Sequence, residues 1–212
     1  FYSEGYSQDK IKISDVTNPN NFKKFTSRAL VAGMAQAFIS AGHNVGGYDV
    51  YFCTEVLKGS GLSSSAAFEV MIGNIFNHLY NKGEVDNKEI AKYAQYSENV
   101  YFGKPCGLMD QMACSTGSLV YIDFYDPKNP VVEKVSFDME SYGYSLCITD
   151  TKGSHADLTP DYAAVPAEMR AAAAVFGKEV LHGVTMEELI EKCQWKLTTQ
   201  DYHTGFKVIG PN

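Results

Sequence analysis

Apolar residues recur along this chain at helical spacing in some stretches and at strand spacing in others. From Thr26 to Ala41 the positions Leu30, Val31, Met34 and Phe38 fall on one helical face, and Gly42 follows as a stop. Before it, Phe1 to Asn21 is polar and weakly patterned, with a turn at Asn18-Pro19-Asn20. Tyr48 to Val56, rich in aromatic and β-branched residues, reads as a strand. The glycine-rich stretch Gly59-Ser60-Gly61 then leads into a helix with Phe68, Met71, Ile72, Ile75, Phe76 and Leu79 on one face. A third helix starts near Asp86, with Glu89 three residues on as in a capping box, and runs to about Val100. A loop carrying Gly103, Pro105 and Gly107 precedes three expected strands: Ser118 to Phe124, Pro130 to Phe137 and Tyr144 to Thr149. Thr159-Pro160 opens a helix that stops at Gly177, and Thr185 with Glu188 caps a short last one. Beyond about Cys193 no pattern emerges. Helices and strands come in runs, so the fold class is α+β and not a chain of βαβ units.

Composition narrows the class. A chain of 212 residues with 45% hydrophobic and 20% charged residues has the balance of a globular protein and enough length for one sizeable core. No run of eighteen apolar residues is present, so no helix is expected to span a membrane. A net charge of −7 argues against a nucleic-acid binder, because neutralising a phosphate backbone needs clustered Lys and Arg. Any phosphate must then be handled locally, by backbone N–H groups, a cation and a few basic side chains. The five cysteines form no C-x-x-C pair and have no His clustered near them. Reduced thiols in a cytoplasmic protein fit them better than disulfides or zinc. The opening on Phe1 reads as a fragment, a processed chain or an incomplete reading frame, with no signal peptide visible.

The strongest chemical signal is Lys58-Gly59-Ser60-Gly61-Leu62-Ser63-Ser64-Ser65, set between a strand and a helix. Glycines let the backbone turn sharply and present its N–H groups, and the helix that follows aims its positive dipole end at whatever sits there. Three successive hydroxyls can donate to phosphate oxygens or meet a hard cation. A polar helix cap with a flexible lead-in is the bland reading, and the serine triplet after Gly-x-Gly weighs against it. A Walker loop would need Gly-Lys-Ser/Thr, which is absent, and a dinucleotide fingerprint would need Gly where Ser64 stands. No Gly-x-Ser-x-Gly supports a serine hydrolase. His43, His78, His155, His182 and His203 sit in unrelated contexts and read as non-catalytic.

GLSSSAAFEV (61–70) closely resembles the phosphate loop of the GHMP kinases. Gly103-Lys104-Pro105-Cys106-Gly107-Leu108-Met109-Asp110-Gln111 is similar to the segment carrying the catalytic aspartate in the galactokinase branch of that family. ITDTKGSHADLTPDYA (148–163) resembles the stretch that follows there. The three motifs occur in the right order over roughly Thr26 to Glu191.

The resemblance implies a ribosomal-protein-like α/β N-terminal domain over residues 1–140, incomplete here, and the beginning of a ferredoxin-like domain over 141–212. It implies ATP- and Mg²⁺-dependent phosphorylation of galactose at its anomeric hydroxyl, with galactose and ATP as partners. Gly59, Ser60, Gly61, Leu62, Ser63, Ser64 and Ser65 would hold the nucleotide phosphates, and Ser65 and Glu98 the magnesium. Asp110 would act on the sugar hydroxyl as base or anchor, with Gly107 approaching the sugar through its backbone and Tyr162 through its hydroxyl. Taken alone, Asp110 reads as a helix cap and Tyr162 as a packing residue, and the motif reverses the judgement on Asp110. For Glu98 the bland reading is a solvated carboxylate, but a negative charge near a helix C-terminus is electrostatically poor, which favours a special role. Leu57 stands where the family usually has Pro, and Lys152 where a small residue is common. The family's N-terminal sugar-binding signature and its C-terminal glycine-rich motif have no match, which leads to the expectation that the chain alone is inactive. Another GHMP kinase, or a non-catalytic sugar and nucleotide sensor, is the alternative.

Overall fold

The computed structural model describes residues 1–56, 61–126, 128–149 and 159–192, with the backbone alone for 159–163, 194–195 and 208–209. The chain divides into two compact units, residues 1–122 with 131–150 and residues 123–130 with 151–212. Among the described residues no helix is long and apolar enough to cross a membrane.

The first unit is a helical core with small sheets at its margins. Strand β1 (Tyr2–Ser3) pairs in parallel with β2 (Tyr51–Phe52), in the register Tyr2 to Tyr51 and Ser3 to Phe52. The strand expected over Tyr48 to Val56 is therefore shorter than its composition suggests, because a strand lasts only as long as its neighbour and β1 offers two residues. Helix α1 (Ser27–Ser40) starts where Thr26 Oγ1 accepts from Ala29 N at 3.4 Å. Helix α2 (Ser64–Tyr80) follows the serine-rich loop, and α3 (Asn87–Tyr96) is capped by Asp86, whose carboxylate accepts from Lys88 N at 2.6 Å. The helix expected to continue to Val100 changes pitch at Ser97, and Ser97–Phe102 form a π-helical turn. Helix α4 (Met109–Thr116) is not apparent in the apolar spacing. Strands β3 (Leu119–Asp123) and β4 (Val131–Val135) form a second two-stranded sheet. The third expected strand does not form: Tyr144, Leu146 and Ile148 are exposed and no described neighbour pairs with them.

Phe38 is the hub of the core, with ring centroids 5.6 Å from Phe76 of α2 and 5.1 Å from Tyr93 of α3. Met34, Ile72, Ile90 and Tyr101 are fully buried around it. Burying such side chains contributes about 1.5–3 kcal/mol each, which is what holds helices of this length together. Two glycines set how closely the helices approach. A Cβ on Gly33 of α1 would stand 2.6 Å from Ser97 Oγ and 2.8 Å from Ser97 Cα. One on Gly73 of α2 would stand 2.6 Å from Ile90 Cγ2. Ser97 Oγ in turn donates to Leu30 O at 2.7 Å, so the start of the π turn is pinned against α1.

The second unit contains α5 (Thr159–Val175), which has Pro166 in its interior, and α6 (Met186–Lys192). The expected cap of α6 is present: Thr185 N donates to Glu188 Oε2 at 2.9 Å and Glu188 N to Thr185 Oγ1 at 3.2 Å. Where the sequence offers no pattern, the short strands β5 (Gln194–Trp195) and β6 (Val208–Ile209) pair antiparallel.

Candidate active site

The hydroxyls at the start of α2 reach two carboxylates that are distant in sequence. Ser65 Oγ donates to Glu98 Oε1 at 3.1 Å, and Ser63 Oγ donates to Asp110 Oδ2. Thus Ser63, Ser65, Glu98 and Asp110, expected to act together, lie together. Gly61 takes φ +77° and Ser63 φ +55°, so the chain enters the helix through left-handed backbone. Gly61 and Leu62 are exposed, and the first N–H groups of α2 are left without intrahelical acceptors, as at any helix start. Gly59 and Ser60 lie outside the described residues, as does the Tyr162 side chain; α5 carries the Tyr162 backbone.

Glu98 is held by its surroundings and not by solvent. Its side chain is 3% exposed, in the π turn, a kind of helical irregularity frequent at functional sites. Gln111 Nε2 donates to its Oε2 at 2.9 Å, and Lys104 Nζ lies 3.6 Å from its Oε1. The π turn closes on the Glu98 carbonyl, which accepts from Gly103 N at 2.9 Å and Lys104 N at 3.1 Å, with Gly103 at φ +85°. The following loop is fastened at Cys106: its N donates to Asn99 Oδ1 at 2.7 Å, and its Sγ accepts from Gln111 Nε2 at 3.4 Å. Burial, with the Glu98 charge adding to it, pushes the Cys106 thiol far above its ordinary range, so the sulfur stays protonated. Asp110 is exposed in the first turn of α4, where a negative charge is favoured by the helix dipole. Next to it Gly107 has open space where a Cβ would stand, which leaves its backbone accessible to a small molecule.

Two residues of this site escape a reading of the motif. Gln111 is buried and bridges Glu98 and Cys106. Glu69, one turn after Ser65 on α2, is fully buried, and among the described residues neither of its oxygens has a partner in good hydrogen-bond geometry. Burial pushes the Glu69 carboxyl up to about 9; the Glu98 charge adds to this, while the Gln111 amide and Lys104 oppose it. Glu69 is therefore a neutral acid at pH 7. Among the described residues the Gln111 carbonyl oxygen is likewise without a partner, and a protonated Glu69 has the O–H donor that such an oxygen lacks.

A magnesium ion would fit between Ser65 and Glu98. Adjacent corners of an octahedron with 2.0–2.1 Å bonds are about 2.9 Å apart, and Ser65 Oγ and Glu98 Oε1 are separated by 3.1 Å. Among the described residues no group of three or more His, Cys, Asp and Glu side chains could hold a metal. A two-ligand seat suits magnesium, which keeps several waters and takes further oxygens from substrate phosphates.

Residues 29–118 match the model of the GHMP kinases N terminal domain. A galactokinase of Streptomyces coelicolor is 33% identical over 183 residues, covering 85% of this chain and 46% of that protein. A galactokinase of Pyrococcus furiosus is 28% identical over 189 residues, 89% of this chain and 51% of the relative. One of Clostridium acetobutylicum is 34% identical over 128 residues, 60% and 33% of the two chains. The chain thus spans about half the length, or less, of these relatives.

Proposed function

This chain belongs to the GHMP kinases, and from that premise we propose that its protein transfers the γ-phosphoryl group of ATP to the anomeric hydroxyl of galactose. The observation that carries this reading is the pairing of Ser63 with Asp110 and of Ser65 with Glu98, which joins a phosphate-binding helix start to an exposed carboxylate. Phosphoryl transfer depends on positioning and electrostatics, and it needs a phosphate seat, a metal seat and an acceptor for the hydroxyl proton within a few ångströms.

In this account the nucleotide phosphates take the N–H groups of Gly59 to Ser65 and the first turn of α2. Ser65 and Glu98 hold the magnesium, and Gln111 keeps the Glu98 carboxylate facing Ser65. When bound, the ion neutralises charge on the phosphates and holds their oxygens in place. The sugar lies against the Gly107 backbone, and its anomeric hydroxyl faces Asp110. The hydroxyl proton passes to the Asp110 carboxylate as the new bond to phosphorus forms and the bond to the ADP oxygen breaks.

The same reading gives a ribosomal-protein-like domain to about residue 140 and the beginning of a ferredoxin-like domain after it. It makes the protein cytoplasmic, with small molecules and neither nucleic acid nor membrane as partners. The test is to incubate the full-length protein with ATP, Mg²⁺ and galactose and follow the phosphorus NMR spectrum. A galactose 1-phosphate signal is expected. ATP binding with no phosphorylation of galactose, while another sugar or alcohol is phosphorylated, would overturn the substrate assignment. Nucleotide and sugar binding with no transfer to any acceptor would make the protein a sensor.

A further inference from the structure

Ser63 breaks two local rules at once. The residue before the first turn of a helix ordinarily has extended backbone, and its side chain accepts from the second or third helical N–H. Ser63 instead sits in the left-handed region at φ 55° and ψ 47°, and its side chain makes no cap hydrogen bond to α2. Glycine adopts that conformation without steric cost and serine does not. Departures of this kind concentrate where a side chain is needed for something other than folding. Here the hydroxyl is directed at Asp110 Oδ2, 47 residues away in sequence.

We propose that Ser63 is a positioning residue for Asp110 and that its hydroxyl is not a phosphate ligand; this rests on the role given to Asp110 above. The torsion that orients an aspartate carboxylate is soft and broad, so an exposed Asp110 does not hold one oxygen toward a substrate unaided. Among the described residues Ser63 supplies the one hydrogen bond to the Asp110 carboxylate. With Oδ2 fixed from the phosphate-loop side, Oδ1 is left for the sugar hydroxyl. The Ser63 proton is committed to that bond, so Ser63 meets phosphate only through its backbone N–H, unlike Ser65, whose hydroxyl lies on the proposed metal seat.

The experiment compares Ser63→Gly and Ser63→Ala in the full-length protein, with Asp110→Asn measured beside them. Glycine keeps the left-handed turn and removes the hydroxyl; alanine removes the hydroxyl and retains the backbone strain. Turnover is measured at saturating galactose and ATP, the Kd of a non-hydrolysable ATP analogue by calorimetry, and the fold by thermal unfolding. Both Ser63 variants are expected to lose about 10–100-fold in kcat, with analogue affinity within about twofold of wild type. A Ser63→Gly protein with wild-type kcat would overturn the proposal, whatever happens to Ser63→Ala. So would a Ser63→Gly protein that loses tenfold or more in analogue affinity at unchanged kcat, since that is the behaviour of a phosphate ligand. Full turnover in Asp110→Asn would instead remove the underlying role of Asp110, an outcome the Ser63 variants cannot mimic.

Discussion

Gln111 donates its amide to Glu98 Oε2 at 2.9 Å from the first turn of α4, and through this bond a helix too short to stand out in the sequence fixes the carboxylate of the π turn. Glu98 is thereby held from two sides, by Ser65 of α2 and by Gln111 of α4.

Replacing Gln111 with Leu keeps the volume and deletes the donor, leaving a buried carboxylate oxygen without its partner. The loss should be about 1–3 kcal/mol of stability in urea unfolding. The Mg²⁺ concentration for half-maximal rate should rise as Glu98 is freed to turn from Ser65. An unchanged urea midpoint with an unchanged magnesium dependence would show that this bond does not hold the site.

Glu69 makes stability depend on pH. Its folded value is about 9 against an ordinary 4.5, so between those limits the folded chain keeps a proton that the unfolded chain has released. Its contribution is fully present below about 4.5 and is lost as pH rises toward 9, with a slope approaching about 1.4 kcal/mol per pH unit. Glu69→Gln preserves the neutral shape and removes the proton. Urea unfolding at pH 6, 7 and 8 should therefore show wild type losing stability relative to the variant at each step. Parallel pH dependences of the two proteins would mean that Glu69 is ionised in the fold.

Gly33→Ala is the sharpest test of the packing that supports the site. The added Cβ meets Ser97 Oγ at 2.6 Å and the Ser97 backbone at 2.8 Å, so either α1 or the start of the π turn must move. Destabilisation of about 1–3 kcal/mol is expected in urea unfolding, although alanine is the better helix former. A variant as stable as wild type would show that the contact between α1 and the π turn is loose.

Much of this architecture is legible in the order of the residues alone. The i, i+3, i+4 runs of α1 and α2 and the polar caps at Asp86 and Thr185 translate directly into elements, because each is decided by neighbours within one turn. The convergence of Ser65 and Glu98 is legible only through motif resemblance, since nothing local brings residues 33 apart into contact. Glu69 carries an unread signal: with Ala66, Val70 and Gly73 it occupies the buried stripe of α2, and a carboxylate at a core position demands a partner or a proton. Helix α4 is hidden because its buried positions, Gln111, Met112 and Ser115, are mostly polar. The π turn leaves no mark in hydrophobic spacing, and the strand expected at Tyr144 to Thr149 fails because strand propensity does not supply a pairing neighbour.

The central claim is that Asp110 faces the reacting hydroxyl, and Asp110→Asn in the full-length protein tests it most directly. The substitution keeps the size and the exposed first-turn position of the side chain and removes its ability to take a proton. Steady-state formation of galactose 1-phosphate should fall by about 10²–10⁴-fold, while the Kd of a non-hydrolysable ATP analogue stays within about twofold of wild type. Turnover equal to wild type, with nucleotide affinity equally unchanged, would contradict the account.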